Sequence, residues 1–141
     1  SMRAQTCCSP SFSQLIIVQL GGEPTAQQAV QMVSAAKNQA EIILQITSVV
    51  LLAPVAEELL FRGVVYTSLK QAGHPVSAVL VSSLIFAAVH GSLALMLPLT
   101  LLAVVLVWLY EKTGSIIAPI IMHATFNAIN FGLIKLASNL A

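Results

Sequence analysis

The stretch Leu51-Leu52-Ala53-Pro54-Val55-Ala56-Glu57-Glu58-Leu59-Leu60-Phe61-Arg62-Gly63-Val64-Val65-Tyr66 sets three ionisable side chains inside an apolar run that reaches back to Glu41 and on to Lys70. A run of that length and composition reads as a helix that crosses a bilayer. The rest of the chain agrees, because 57% of its 141 residues are hydrophobic and 8% charged, with a mean hydropathy of +0.92. A soluble domain carries about 25% charged residues to solvate its surface. Six Lys and Arg with five Glu cannot cover a surface this large, so soluble, disordered, fibrous and disulfide-stapled classes fall together. A net charge of +1 leaves no basic footprint, and no nucleic-acid partner is expected. Cys7 and Cys8 are adjacent and cannot staple distant segments; they read as a bland terminal pair or as thiols open to acylation near a membrane.

Working outward from that run, Gly73-His74-Pro75, Gly91-Ser92 and Lys112-Thr113-Gly114 break the apolar sequence into four helical stretches, at about 41 to 70, 75 to 90, 94 to 112 and 115 to 137. Between Lys70 and Glu111 there is no Lys, Arg, Asp or Glu, which suits two passes joined by a short turn. Pro54, Pro98 and Pro119 are tolerable where neighbouring helices satisfy the backbone groups they free, and they predict kinks. Upstream, Phe12 to Leu20 is apolar but too short to span, and Gly21, Gly22 and Pro24 end it. From Thr25 to Gln39, Ala29, Val30, Met32, Val33 and Ala36 alternate at helical spacing with Gln27, Gln28, Gln31, Lys37 and Asn38, the pattern of a helix lying at the interface. Residues 1 to 10 have neither the basic start nor the long apolar run of a signal peptide. The expected fold is all-α: a polytopic transmembrane bundle of about four core helices preceded by an amphipathic or interfacial segment. Such a chain is an integral, multi-pass membrane protein, in the plasma membrane if its source is bacterial. Lys and Arg split evenly between the two sides, so orientation rests on anchors instead. Tyr66 with Lys70, and Trp108 and Tyr110 with Lys112, place the ends of the first and third stretches at one interface.

Ionisable groups at membrane depth are costly, and each is a functional hypothesis. They are Glu57, Glu58 and Arg62 on the first stretch, His90 at the end of the second, and His123 with Asn127 on the fourth. Measured by helical rise from the interface marked by Lys70 and Lys112, Glu57 lies roughly 20 Å deep, His90 roughly 22 Å, and His123 and Asn127 roughly 16 and 22 Å. All four can meet at one level. Glu58 and Arg62 are an i, i+4 pair with the acid first, the favourable order for an ion pair. Glu57 points about 100° away and has no cation one turn along its own face, which makes it the candidate general base. His123 and Asn127, also i, i+4, present an imidazole and an amide from one face, suited to donating hydrogen bonds to a developing oxyanion, and Asn130 extends that face by a turn. Each group also has a purely structural reading: an ion pair for Glu58 with Arg62, a helix cap for His90, and interhelical hydrogen-bond glue for His123 with Asn127. Phe86 reads as packing, and Ser82, Ser83, Ala87 and Ala88 as small residues that allow close helix approach.

Glu57-Glu58-Leu59-Leu60-Phe61-Arg62 fits an EExxxR motif, Phe86 to His90 fits FxxxH, and His123 to Asn127 fits HxxxN, in that order on successive helices. Together they resemble the CPBP family, which groups CAAX prenyl endopeptidases with bacteriocin-processing and self-immunity membrane proteins. The resemblance covers roughly residues 41 to 138 and implies an intramembrane glutamate protease. By it, Glu57 and His90 activate water, His123 and Asn127 stabilise the oxyanion, and Glu58 and Arg62 support. Family members commonly have eight helices, so a chain with four is expected to be a short member or a core fragment.

The leading expectation is therefore a membrane-embedded endopeptidase, with residues 1 to 40 an N-terminal segment and 41 to 141 the transmembrane catalytic core. Its partners would be membrane lipid and a peptide or prenylated protein substrate, of CAAX or bacteriocin-precursor type, and its chemistry needs no cofactor and no metal. A zinc protease using His90, His123 and a glutamate has suitable ligand types, but the HExxH pattern is absent. Buried charge would also suit a non-enzymatic immunity or scaffold protein that keeps the motif residues, or a transporter using the carboxylate as a proton relay.

Overall fold

The computed structural model describes residues 38 to 140; the early apolar run and the amphipathic segment lie outside them. The described part is four helices with no strand among them: α1 (Gln39–Gln71), α2 (Pro75–Val89), α3 (Leu93–Thr113) and α4 (Ile117–Leu140). α1, α3 and the first 21 residues of α4 are long and apolar enough to cross a membrane, whereas α2 is a shorter apolar helix. At about 1.5 Å per residue the fifteen residues of α2 rise roughly 22 Å, less than the ~30 Å hydrocarbon core. Pro75 starts α2 in its first turn, where the missing N–H costs nothing, and Gly91, at φ 65°, turns the chain just past His90. This short helix is what leaves an imidazole at membrane depth.

α1 is not wound uniformly. Thr47–Leu52 and Leu59–Tyr66 are π-helical and flank the α-helical Ala53–Glu58. In the first π stretch the Ala53 N–H bonds the Ser48 carbonyl, five residues back. The next bond in that register needs an N–H from Pro54, which has none, so the carbonyl of Val49 is left over. Hydrocarbon offers no water to satisfy it. In the second stretch the Thr67 hydroxyl donates to the Arg62 carbonyl, again five residues back, at 2.7 Å. Pro119 falls within the first turn of α4, where its ring is harmless.

α2 packs against α1 and α3, and α4 against α1 and α3. The close approaches use small residues: Ala78, Ser82, Ser83 and Ala87 of α2 and Ala103 of α3 are buried. Ala88, expected among them, faces outward instead, one residue round the helix from Ala87. At the interfacial end Tyr66 and Tyr110 meet edge to face with ring centroids 6.2 Å apart, and Lys70 bonds Glu111. The aromatic anchors of α1 and α3 thus share a level, as their sequence positions suggest. Gly114, at φ 63°, caps α3 through an N–H bond to the Tyr110 carbonyl. Large apolar side chains such as Leu59, Leu60 and Val64 of α1, Leu97 and Leu101 of α3, and Ile121 and Ile129 of α4 point outward, a surface suited to lipid.

Candidate active site

The interior of the bundle is organised around one carboxylate oxygen. Glu58 is fully buried, and its Oε1 accepts from Arg62 Nη1 at 2.9 Å, one turn along α1. His123 arrives from α4, also buried, and sets its Nδ1 2.9 Å from the same oxygen. A carboxylate shared with a guanidinium can only accept, so Nδ1 carries the hydrogen. The other guanidinium nitrogen, Nη2, donates to the Ala103 carbonyl of α3 at 2.9 Å, and the guanidinium carbon sits 5.1 Å from the Phe86 ring centroid of α2. Every helix of the bundle therefore contributes to holding the Glu58–Arg62 pair. Its apolar jacket is Phe61, Phe86 and Ala103, with Leu99 against them.

Beyond this buried knot lies Glu57, whose side chain is 27% exposed where that of Glu58 is 0%. Its Oε2 is 3.6 Å from His123 Nε2. That is longer than a hydrogen bond, yet short enough for an oxygen atom placed to one side to reach both groups. The imidazole therefore lies between two carboxylates, with the guanidinium on the far side of Glu58. His123 is thus gripped at one nitrogen and presented at the other.

His90 caps α2, and its Nδ1 lies 2.7 Å from the Phe86 carbonyl of its own last turn. The carbonyl can only accept, so His90 Nε2 is the acceptor nitrogen in the neutral ring. The Phe86 ring lies 4.9 Å from the His90 ring and 5.7 Å from the His123 ring, between centroids, so one phenyl group spaces the two imidazoles. Asn127 donates through Nδ2 to the Val49 carbonyl at 3.0 Å. That carbonyl is the one Pro54 leaves without a helical partner. Nδ2 carries a second N–H.

Residue counting puts Glu57, His90, His123 and Asn127 at a common depth, and the structure brings His123 to both carboxylates and to Phe86 beside His90. Two details differ. Glu58 is held by His123 as well as by Arg62, a contact across 65 residues that no helical spacing encodes. The His123–Asn127 face is divided: the imidazole turns to the carboxylates and the amide to α1. Asn130 bonds the Phe126 carbonyl of its own helix at 2.8 Å, so it does not extend the site. The carbonyls of Val49 and Ala103 are hydrogen-bond partners that side-chain patterns do not reveal, although a proline inside α1 does signal an unsatisfied carbonyl nearby. Among the described residues, no three His, Cys, Asp or Glu side chains are arranged to hold a metal ion.

Residues 39–129, which include every residue of this site, match the family model described as type II CAAX prenyl endopeptidase Rce1-like. The chain belongs to that Rce1-like family. It is similar to "UPF0177 protein YxdF" of Lactococcus lactis subsp. lactis (strain IL1403), 32% identical over 100 residues, which are 70% of this chain and 55% of that protein. It is also similar to "Putative membrane peptidase YdiL" of Bacillus subtilis (strain 168), 31% identical over 86 residues, 61% of this chain and 34% of that protein. The chain thus spans about half the length of the first relative and a third of the second. No solved structure matches it. Family and apolar helices together make this Rce1-like chain an integral, multi-pass membrane protein.

Proposed function

We propose that the chain is an intramembrane endopeptidase whose catalytic core is residues 41 to 141 and whose substrate is a CAAX-type, prenylated or unprenylated peptide. Glu57 is the general base. It takes a proton from water positioned by His90 Nε2, and the water oxygen attacks the scissile carbonyl. His123, whose Nε2 in this step carries a second proton besides the Nδ1–H held by Glu58, and the second N–H of Asn127 stabilise the oxyanion. The tetrahedral intermediate collapses as Glu57 returns its proton to the departing amine, which leaves as the C–N bond breaks. No covalent intermediate forms. The observation that carries this reading is the His123 ring, gripped at Nδ1 by buried Glu58 and held with Nε2 3.6 Å from the more accessible Glu57. A buried acid–base pair at membrane depth marks a functional site, and with one member reachable it can take a proton from water.

The test is incubation of the purified, reconstituted chain with a library of prenylated and unprenylated CAAX-type peptides, products being read by mass spectrometry. The expected result is cleavage at a defined bond near the peptide C-terminus. Intact peptides throughout would overturn the reading and favour a non-enzymatic membrane protein.

A further inference from the structure

Glu58 has no part in the steps above, yet it is the most buried acid in the cluster and the meeting point of three helices. Its Oε1 receives two donors, Arg62 Nη1 and His123 Nδ1, both at 2.9 Å. Arg62 is in turn tied to the Ala103 carbonyl, so the carboxylate cannot swing without breaking a contact to α3. An imidazole beside such a fixed acceptor is confined in two ways: its ring plane is set, and its hydrogen is kept on Nδ1. We infer that Glu58, anchored through Arg62 to the Ala103 carbonyl, is a positioning residue that keeps a hydrogen on Nδ1 of His123, in the neutral and the charged ring alike, and so turns Nε2 towards Glu57 and the substrate. The inference about the ring stands on geometry alone, while its consequence for turnover rests on the protease reading.

The groups that face His123 are few. α1 presents Glu57 and Glu58, with Arg62 behind them; α2 presents His90 across the Phe86 ring. α3 has no ionisable side chain from Leu93 to Leu109 and offers only the Ala103 carbonyl, through Arg62. Glu58 is thus the only side chain seen to bond Nδ1 among the described residues.

The experiment is nitrogen NMR of the full chain in nanodiscs with labelled histidine, the His123 signal being assigned by its loss in His123→Gln. Wild type should show a proton on Nδ1, whether the ring is singly or doubly protonated. Glu58→Gln keeps an amide oxygen at the same place and should keep Nδ1 protonated. Glu58→Leu alone would strand Arg62 and risks misfolding, so the decisive variant is Glu58→Leu with Arg62→Met, which removes both charges. There the neutral ring should lose its preference for Nδ1–H. In the peptide assay kcat should fall by about 10- to 100-fold with KM little changed, by analogy with the loss of a carboxylate that orients a metal-bound histidine. A bare Nδ1 in wild type, or an unaltered ring in the double variant, would overturn the inference. The expected NMR result without cleavage by wild type would uphold the positioning role and sink the protease reading instead.

Discussion

Removing the carboxylate of Glu58 leaves a charged guanidinium that is 1% exposed and has lost its hydrogen-bonded acid, with Glu57 the remaining carboxylate that acts on it. Breaking a buried ion pair by deleting one member costs about 3–5 kcal/mol, because the remaining charge stays desolvated. Glu58→Gln softens this only in part, since the amide oxygen can still accept from Arg62 Nη1 and His123 Nδ1 but carries no charge. For a chain of this size each kcal/mol moves the melting point by roughly 3–5 °C, so the expected loss is on the order of 10–20 °C. Glu58→Gln with Arg62→Met removes the stranded cation. The unbranched Met fills much of the arginine stem's path beside Phe86, and the Ala103 carbonyl keeps its place within α3. The double variant should therefore melt above Glu58→Gln, by at least ~2 kcal/mol. Glu57→Gln, at a more exposed site, should melt close to wild type. The assay is a thermal melt of the four proteins in one detergent. A double variant no more stable than Glu58→Gln, or Glu57→Gln as the less stable of the two glutamate variants, would refute the assignment of Arg62 to Glu58.

Three further outcomes are expected. Asn127→Ala should slow cleavage by about 10²- to 10³-fold if its second N–H serves the oxyanion, and an unchanged rate would limit Asn127 to the Val49 contact. Its effect on stability should depend on Pro54. In a Pro54→Ala background Val49 regains a helical N–H, so the cost of Asn127→Ala should shrink by about 1 kcal/mol, read from melts of the two single variants, the double variant and wild type; simple additivity would contradict the account of the freed carbonyl. Activity should survive dialysis against a strong chelator with no stoichiometric transition metal found by elemental analysis, whereas zinc-dependent loss and recovery would establish metal catalysis.

Much of this arrangement is legible in the sequence, for identifiable reasons. Glu58 with Arg62 follows from helical spacing, and counting residues from the Lys70 and Lys112 interface anticipates the meeting of His123 with Glu57 and Glu58, whereas Asn127 bonds the Val49 carbonyl eight residues before Glu57. The glycines at 73, 91 and 114 mark the helix breaks because each adopts positive φ. What stays hidden depends on contacts between helices or on backbone winding. The His123–Glu58 bond joins α4 to α1 across 65 residues, and the same imidazole packs edge-on against Phe86 of α2. The π-helical turns leave no side-chain signature, so the partnership of Asn127 with Val49 is not readable from the HxxxN spacing, which suggests one shared face. Sequence position sets Lys70 beside Tyr66 alone; its bond to Glu111 of α3 needs the tertiary fold.

The most direct test of the central claim, that Glu57 is the base of a water-dependent intramembrane hydrolysis, is the turnover of Glu57→Gln in the reconstituted peptide assay. The amide keeps the shape of the side chain beside His123 and removes its charge and its capacity to take a proton. A fold verified by its melt, with turnover lowered by about 10²- to 10⁴-fold, is the predicted result. A well-folded Glu57→Gln that cleaves at the wild-type rate would contradict it.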